Sequence, residues 1–286
     1  MALDLSAVGK ELPPSTYEYT DREVMLYALG VGATTDELAF VYEKDLKVLP
    51  TFAVIPAFSG LMGIGRVLQF NPAMLLHGEH RIALRPDGRP SGRATIPSSG
   101  KLTTQGKIAA IYDKGSGALV VVEADTRDGA GTVLFTNTFG AFIRGEGGFG
   151  GERGPSASGR NVPPEKKPDH VVEYATSPWQ AALYRLSGDR NPLHIDPDFA
   201  KLGGFDRPIL HGLCTFGHVG RAVLHACCGG DPARFKDFEV RFSGVVYPGE
   251  TIVTEIWQES KNRVLVQAKT AERGESVIAN AAATVE

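Results

Sequence analysis

The sequence predicts an α+β protein of two similar modules, in each of which an antiparallel sheet wraps around a helix. Three observations predict it. The chain has 286 residues, the length of two domains of about 100–200 residues each. A stretch dense in glycine, proline, serine and charge, residues 146–169, separates two segments of similar size and is interpreted as a linker. Each segment has helix-like stretches and ends in runs that alternate apolar and polar residues, as antiparallel strands do.

Composition excludes several classes of protein. Apolar residues make up 42% and charged residues 22%, so the chain can bury cores. The 33 acidic and 30 basic residues give a net charge of −3, which argues against a nucleic-acid partner. We find no stretch near the ~20 apolar residues of a membrane span, and no secretory pattern at the N-terminus. The three cysteines are too few for a disulfide framework, so we expect them to be buried, reduced side chains.

The first module, residues 1–145, opens with a helix predicted over Thr20 to Val31. A second, apolar helix is predicted over Ala57 to Phe70. Alternating runs then predict strands, and DKGSG lies between two of them as a hairpin turn.

The second module, residues 170–286, repeats this order of elements. Helices are predicted over Ser177 to Leu186 and Gly212 to Cys228, and strands follow from Phe235 onwards, with SKNR as a hairpin turn. The repeated order indicates an internal duplication.

Ionisable residues crowd between the two helices of the second module. The proline of Asn191-Pro192 stops the preceding helix, and Gly188 lets the backbone turn sharply before Asp189. Asp189 and His194 are therefore predicted to lie on an irregular loop. Gly212 follows His211 at the start of the next helix, where a free N–H offers positive potential to an anion.

Three interpretations of this loop are open. In the first interpretation, aspartates such as Asp196 and Asp198 serve only to cap helices and to form turns. A metal site would have enough ligands, but no HxxxH, HxH or CxxC pair organises them. Asp189 and His194 can also perform acid–base chemistry on one water, with Asn191 orienting it.

The segment Tyr184 to Ala200, YRLSGDRNPLHIDPDFA, resembles the hydratase 2 motif of the R-specific enoyl-CoA hydratases, the MaoC-like branch of the hot-dog superfamily. Five further segments resemble, in the same order, the hydratase 2 part of multifunctional β-oxidation enzymes: LLHGEH, DKGSG, RGEGGFGG, FDRPILHGLCTFG and RFSGVVYPG. The resemblance therefore covers nearly the whole chain.

The resemblance implies a tandem (double) hot-dog fold that hydrates medium- to long-chain trans-2-enoyl-CoA to (3R)-3-hydroxyacyl-CoA. It implies that Asp189 and His194 form the catalytic pair and that Asn191 holds the same water. The Gly212 N–H would hold the thioester oxygen as it becomes enolate-like. No metal or redox cofactor is expected, because the thioester itself acidifies Cα.

The resemblance also implies substrate contacts, each with a simpler alternative. His77 and Gly78 would contact the thioester, although a lone histidine is more often structural. Lys114 at the DKGSG turn would bind a CoA phosphate, although a turn lysine is usually only solvated. Arg190 is a further expected contact. Phe242 would line the acyl or pantetheine path, although an inward strand phenylalanine is more often core.

The first module lacks the catalytic set, since residues 32–38 read GATTDEL where the second module has GDRNPLH. We therefore expect one active site per chain and assign the first module to acyl-chain accommodation. The glycines of Phe52 to Leu68 would open an acyl tunnel or, alternatively, allow close packing.

Other functions remain open at this point. A carrier-protein thioester dehydratase would share the chemistry, and a non-catalytic acyl binder would share the fold. A thioesterase is disfavoured, because the interior of the Gly212 helix contains no carboxylate. The resemblance further implies a homodimer. We expect a cytoplasmic location, since the sequence ends TVE without an SKL-type signal.

Overall fold

The computed structural model describes residues 3–86, 94–156 and 159–286. Within these ranges ten strands join in one antiparallel sheet. The strands are β1 (Ser15–Tyr19), β2 (Leu75–Leu84), β3 (Gly100–Asp113), β4 (Gly117–Arg127), β5 (Val133–Arg144), β6 (His170–Ala175), β7 (Phe235–Phe242), β8 (Thr251–Ser260), β9 (Arg263–Thr270) and β10 (Ser276–Val285). Their order across the sheet is β1-β3-β4-β5-β2-β7-β10-β9-β8-β6.

Six α-helices accompany this sheet within the described ranges, and α3 and α6 pack directly on its strands. They are α1 (Asp21–Gly30), α2 (Leu38–Val41), α3 (Val54–Leu61), α4 (Gln180–Tyr184), α5 (Pro197–Leu202) and α6 (Gly212–Cys228). Short 3-10 turns lie beside several of them: Pro50–Ala53, Met62–Arg66, Arg185–Ser187 and Pro192–His194. None of the helices in these ranges is long and apolar enough to cross a membrane.

The strand order repeats between the two halves of the sheet. Each half contributes five strands. Counted along the chain within one half, they lie in the order first, third, fourth, fifth and second from the outer edge of the sheet to its centre. The two halves meet where β2 pairs with β7, from Glu79 opposite Arg241 to Ala83 opposite Asp237. The predicted α+β class and repeated order of elements are therefore confirmed.

The apolar helix α6 has the predicted bounds, Gly212–Cys228, and every residue from Leu213 to Leu224 is buried. Two of its glycines allow close contact with the first module. A Cβ at Gly217 would lie 2.3 Å from Val31 Cγ1, and one at Gly220 would lie 2.4 Å from Thr51 Cγ2. The helix ends at Gly229, whose φ of +61° is the left-handed conformation that glycine favours at a C-terminus.

The second helix of the first module was predicted wrongly in its bounds. Instead of Ala57 to Phe70, α3 spans Val54–Leu61 and tightens into a 3-10 turn. Glycines at 60, 63 and 65 explain the early end, because each costs about 1 kcal/mol in a helix interior relative to alanine.

Two of these glycines lie against other parts of the chain. A Cβ at Gly60 would lie 3.3 Å from Ser15 Oγ and from Thr104 Cγ2, and one at Gly63 would lie 3.5 Å from Pro13 Cδ. These contacts favour the packing interpretation, and the acyl tunnel stays a prediction.

The segment between β5 and β6 contains no regular element among its described residues, but it is hydrogen-bonded to the body of the protein. The Asp113 carboxylate accepts N–H bonds from Gly148 and Gly150, both at 2.8 Å. Trp257 donates its indole N–H to the Lys166 carbonyl at 2.9 Å. The segment is therefore held along the protein at both of its ends.

A buried ionic cluster joins the two modules. Arg221 of α6, with 5% of its side chain exposed, pairs with Glu37 of the first module, Nε to Oε2, at 3.1 Å. Its guanidinium donates to the Val31 carbonyl and lies 3.7 Å from the centroid of the Tyr174 ring. His225 also binds Glu37. Burial opposes ionisation of Glu37, yet the hydrogen bond from His225 and the charge of Arg221 hold its pKa below the usual value.

We predict that Arg221→Met destabilises the protein by about 3 kcal/mol, because it leaves the Glu37 carboxylate buried without its cation. Urea unfolding followed by circular dichroism measures the change. The control is Arg81→Met, since Arg81 pairs with Asp237 but 52% of its side chain is exposed. Its cost should stay below about 1 kcal/mol. An equal loss of unfolding free energy in the two variants would show that the Arg221–Glu37 pair stabilises the protein no more than an exposed pair does.

Candidate active site

The loop that carries Asp189 begins where α4 ends. After the 3-10 turn Arg185–Ser187, Gly188 has a φ of +129°, which an L-residue rarely adopts. Asn191 then caps the turn Pro192–His194, because its side-chain oxygen accepts the Leu193 N–H at 3.0 Å. The predicted sharp turn at glycine is thus observed, and a half-buried Asp189 follows it directly.

His194 is buried and has a defined tautomer. Its Nδ1 lies 2.9 Å from the Ile209 carbonyl oxygen, which can only accept, so Nδ1 carries the proton. Its Nε2 therefore has a free lone pair. Burial lowers the pKa of His194 below the usual value, and the charge of Asp189 opposes this shift.

His211 completes the cluster, although sequence reasoning did not select it as a site residue. Its ring lies on that of His194, with centroids 3.8 Å apart and planes inclined by 33°. Its Nε2 lies 3.1 Å from the Asp189 carbonyl oxygen. Burial lowers the pKa of His211 to about 2, so its ring is neutral. The available signal was its place directly before the glycine that opens α6.

Asp189, His194 and His211 each offer a ligand atom within 4.8 Å of the others, so a metal must be considered. Tetrahedral donors at about 2.1 Å from zinc lie about 3.4 Å apart, which this upper bound allows, so the orientation of the rings must decide. The two imidazoles also lie nearly face to face, which points their in-plane lone pairs side by side rather than at one centre. The geometry suits proton transfer better than metal binding, and the absence of a metal stays a prediction.

Gly212 is the first residue of the 17-residue helix α6. Its N–H belongs to the first turn, where backbone donors have no partner inside the helix. A Cβ at this position would lie 3.4 Å from the ring of Phe242, in van der Waals contact with it. The N–H, the partial positive charge of the helix and the aromatic ring therefore share one small space.

The first module contributes His77 and Gly78 from β2. The pairing of β2 with β5 shifts register between His77 and Glu79, which makes a bulge at Gly78. The His77 ring stacks on Phe139 at 3.8 Å and lies 4.8 Å from Phe242, centroid to centroid. Its Nε2 is buried and has no hydrogen-bond partner within the described chain, and burial holds its pKa well below the usual value. Phe242 thus connects His77 to Gly212.

Lys114 and Arg190 lie apart from this group. Lys114 donates to the carbonyls of Arg153 and Pro155, at 2.5 and 3.0 Å, so its ammonium is engaged with the linker. Arg190 is exposed and lines a cleft between the modules together with residues such as Tyr17 and Arg22. Among the described residues, no hydrogen bond or ion pair connects either side chain to Asp189 or to His194.

The remaining residues of the loop behave as the capping interpretation predicts. Asp196 accepts the N–H groups of Asp198 and Phe199 and so caps α5. Asp198 is exposed and pairs with Lys201.

Cys214, in the first turn of α6, is buried with its Sγ 3.3 Å from the Gly30 carbonyl, and burial raises the pKa of its thiol well above the usual value. An unionised, enclosed thiol is a core side chain and not a nucleophile.

Family models and similar proteins cover most of the chain. The model described as MFE-2 hydratase 2 N-terminal domain matches residues 17–145, and the one described as MaoC like domain matches residues 160–281. The chain is 41% identical to a probable enoyl-CoA hydratase 2 of Dictyostelium discoideum, covering 100% of this chain and 98% of that one. It is 46% identical to the peroxisomal multifunctional enzyme type 2 of Mus musculus, covering 97% of this chain but 38% of the longer protein.

A solved structure agrees in shape as well as in sequence. The MaoC-like dehydratase of Phytophthora capsici superimposes with a TM-score of 0.86 at 38% identity, covering 99% of this chain and 98% of that one. The fold is the double hot dog.

We predict that the imidazole of His194 titrates below 6.5 and that Asp189→Asn lowers its pKa further, because the variant removes the charge that opposes desolvation. Two-dimensional ¹H–¹⁵N spectra of labelled histidine measure both values and also report the tautomer. A control variant, Asp198→Asn, should leave the titration unchanged. A rise in the pKa on Asp189→Asn would contradict the assigned electrostatics.

Proposed function

The chain belongs to the MaoC-like hydratase 2 family, and from that premise we propose that it catalyses the reversible hydration of trans-2-enoyl-CoA to (3R)-3-hydroxyacyl-CoA. It is accordingly an R-specific hydro-lyase of acyl-CoA metabolism. The observation that carries the proposal is the position of an acid–base pair, Asp189 and His194, beside the glycine N–H that begins α6.

The free lone pair on His194 Nε2 supports its role as the group that takes a proton from water. As the water oxygen bonds to Cβ, the O–H bond breaks and the proton moves to the catalytic pair. The same pair then supplies a proton to Cα, either directly from His194 or through Asp189, and returns to its starting state. Addition of both atoms from one side gives a syn product.

Asp189 has two tasks in this scheme. Its carboxylate stabilises the imidazolium that forms on His194, and it can accept a hydrogen bond from the attacking water. Asn191 is proposed to hold that water. The backbone N–H of Asn191 donates to Asp189 Oδ1 at 3.1 Å, which holds the Asp189 carboxylate beside this residue.

Negative charge develops on the thioester oxygen as Cα becomes enolate-like. The Gly212 N–H is proposed to donate a hydrogen bond to this oxygen and so stabilise its charge, and a donor of this kind contributes about 10²–10³-fold in rate. His77, Gly78 and Phe242 are proposed to enclose the acyl thioester. These three residues are half-buried, and the aromatic rings around His77 would limit the access of water to a bound thioester.

Two further features of the substrate are proposed: the length of its acyl chain, and CoA rather than a carrier protein as the group that bears the thioester. We propose medium- to long-chain CoA esters, with Lys114 and Arg190 contacting the CoA portion. A dehydratase of carrier-protein thioesters would use the same residues and differ only in the handle that it binds. A non-catalytic acyl binder is disfavoured, because binding alone needs no acid–base pair.

Assembly is proposed from the family likeness alone. We propose a homodimer, which a sedimentation mass equal to one chain would contradict. We propose a cytoplasmic location, although the mouse relative is named as peroxisomal. Imaging of a tagged full-length chain in its source cells distinguishes the two compartments.

We predict that the wild-type protein hydrates crotonyl-CoA and trans-2-decenoyl-CoA to (3R)-hydroxy esters and that Asp189→Asn lowers kcat by about 10²–10⁴-fold. Loss of enoyl-thioester absorbance gives the rate, and chiral analysis gives the product. Asp198→Asn, an exposed carboxylate of the same region, is the matched control and should keep wild-type activity. A folded wild-type protein that acts on carrier-protein thioesters alone would favour the dehydratase, and one without any turnover would favour the acyl binder.

Lys114→Ala is predicted to raise KM for decenoyl-CoA by about tenfold while kcat changes little, because it removes one phosphate partner. Lys107→Ala removes an exposed lysine of β3, the strand that leads to Lys114, and should change neither value. Because Lys114 also binds linker carbonyls, thermal unfolding must be measured in parallel. A lower melting temperature with an unchanged KM would assign Lys114 to the linker and not to the substrate.

A further inference from the structure

His211 contacts both members of the proposed acid–base pair. Only 1% of its surface is exposed, and it lies between the catalytic loop and the first turn of α6. Its ring covers that of His194, and its Nε2 reaches the carbonyl oxygen of Asp189 across 22 residues of sequence. Tyr184 lies close to the same ring, with its centroid 4.9 Å away.

The direction of the hydrogen bond follows from chemistry. A carbonyl oxygen can only accept, so Nε2 of His211 carries the proton and donates it. Burial keeps the ring neutral, which leaves Nδ1 as a bare acceptor. That atom is buried and has no hydrogen-bond partner within the described chain, so the ring is held by Nε2 and by stacking.

The catalytic loop has few other attachments. Gly188, Arg190 and Asn191 are exposed, and the hydrogen bonds of the loop are mostly to near neighbours in sequence. Among the described residues, the hydrogen bond from His211 is the one that ties residues 188–191 to the start of α6. Since Gly212 is the next residue, this hydrogen bond relates Asp189 directly to the helix N-terminus.

We propose that His211 is a positioning residue, which donates to the Asp189 carbonyl and stacks on His194 so that both face a thioester held at Gly212. This inference rests on the proposed hydratase function. It assigns no proton transfer to His211 itself. Loss of the donor should therefore leave the substrate bound but misalign the groups that react with it.

Glutamine and methionine at position 211 form a matched pair for the test. The two side chains have nearly the same length and shape, but only glutamine can donate a hydrogen bond to the Asp189 carbonyl. We expect His211→Gln to lose less than tenfold in kcat and His211→Met to lose about 10²-fold, with KM for decenoyl-CoA unchanged in both. The control His218→Met removes a buried histidine from within α6 and should lower stability without lowering kcat.

The pH profile separates positioning from simple stability. The groups that face His194 are Arg185, Asp189 and His211, and of these the Asp189 charge raises its pKa. If Asp189 moves away in His211→Met, the pKa of His194 falls. The acidic limb of kcat/KM then moves to lower pH, whereas it should stay in place in His211→Gln and His218→Met.

Two results would overturn the proposal. One is equal activity of folded His211→Gln and His211→Met with unmoved acidic limbs, which would make the imidazole a packing group. The other is a displaced acidic limb in His211→Gln, which decides the matter even if the methionine variant does not fold. Wild-type protein without any hydratase activity would instead contradict the proposed function, so the two failures are distinguishable.

Discussion

The antiparallel pairing of β2 with β7 joins the two modules into one sheet, and the candidate site depends on this pairing. It brings His77, on a bulge of the first module, towards Phe242 at the end of β7. Phe242 in turn faces the glycine that begins α6. Neither module alone contains both the aromatic enclosure and the acid–base loop, so the proposed chemistry belongs to the joined chain.

Backbone groups hold or form much of the candidate site. The Ile209 carbonyl fixes the tautomer of His194, the Asp189 carbonyl orients His211, and the Gly212 N–H is the proposed oxyanion donor. Backbone groups cannot rotate away as side chains can, which keeps the site ready before the substrate arrives. The ionic pair of Glu37 with Arg221 stabilises the same helix further along its length.

Local signals in the sequence predicted a large part of this. The bounds of α6, the turn at Gly188 and the capping role of Asp196 follow from residue types and spacing within a few positions. The stacking of His211 on His194 did not, because it depends on how two loops approach in space. The early end of α3 was missed since an apolar pattern outweighed its glycines, and the engagement of Lys114 by linker carbonyls has no sequence signature.

The mirrored strand order has a consequence for how the site survives dilution. If the two modules were separate chains, their association would depend on protein concentration, and the pair would dissociate on dilution. Here residues 146–169 join the two modules in one chain, so the effective concentration of one module around the other does not change when the protein is diluted. The first module can therefore supply its edge strand and His77 to a site whose acid–base residues all lie in the second module.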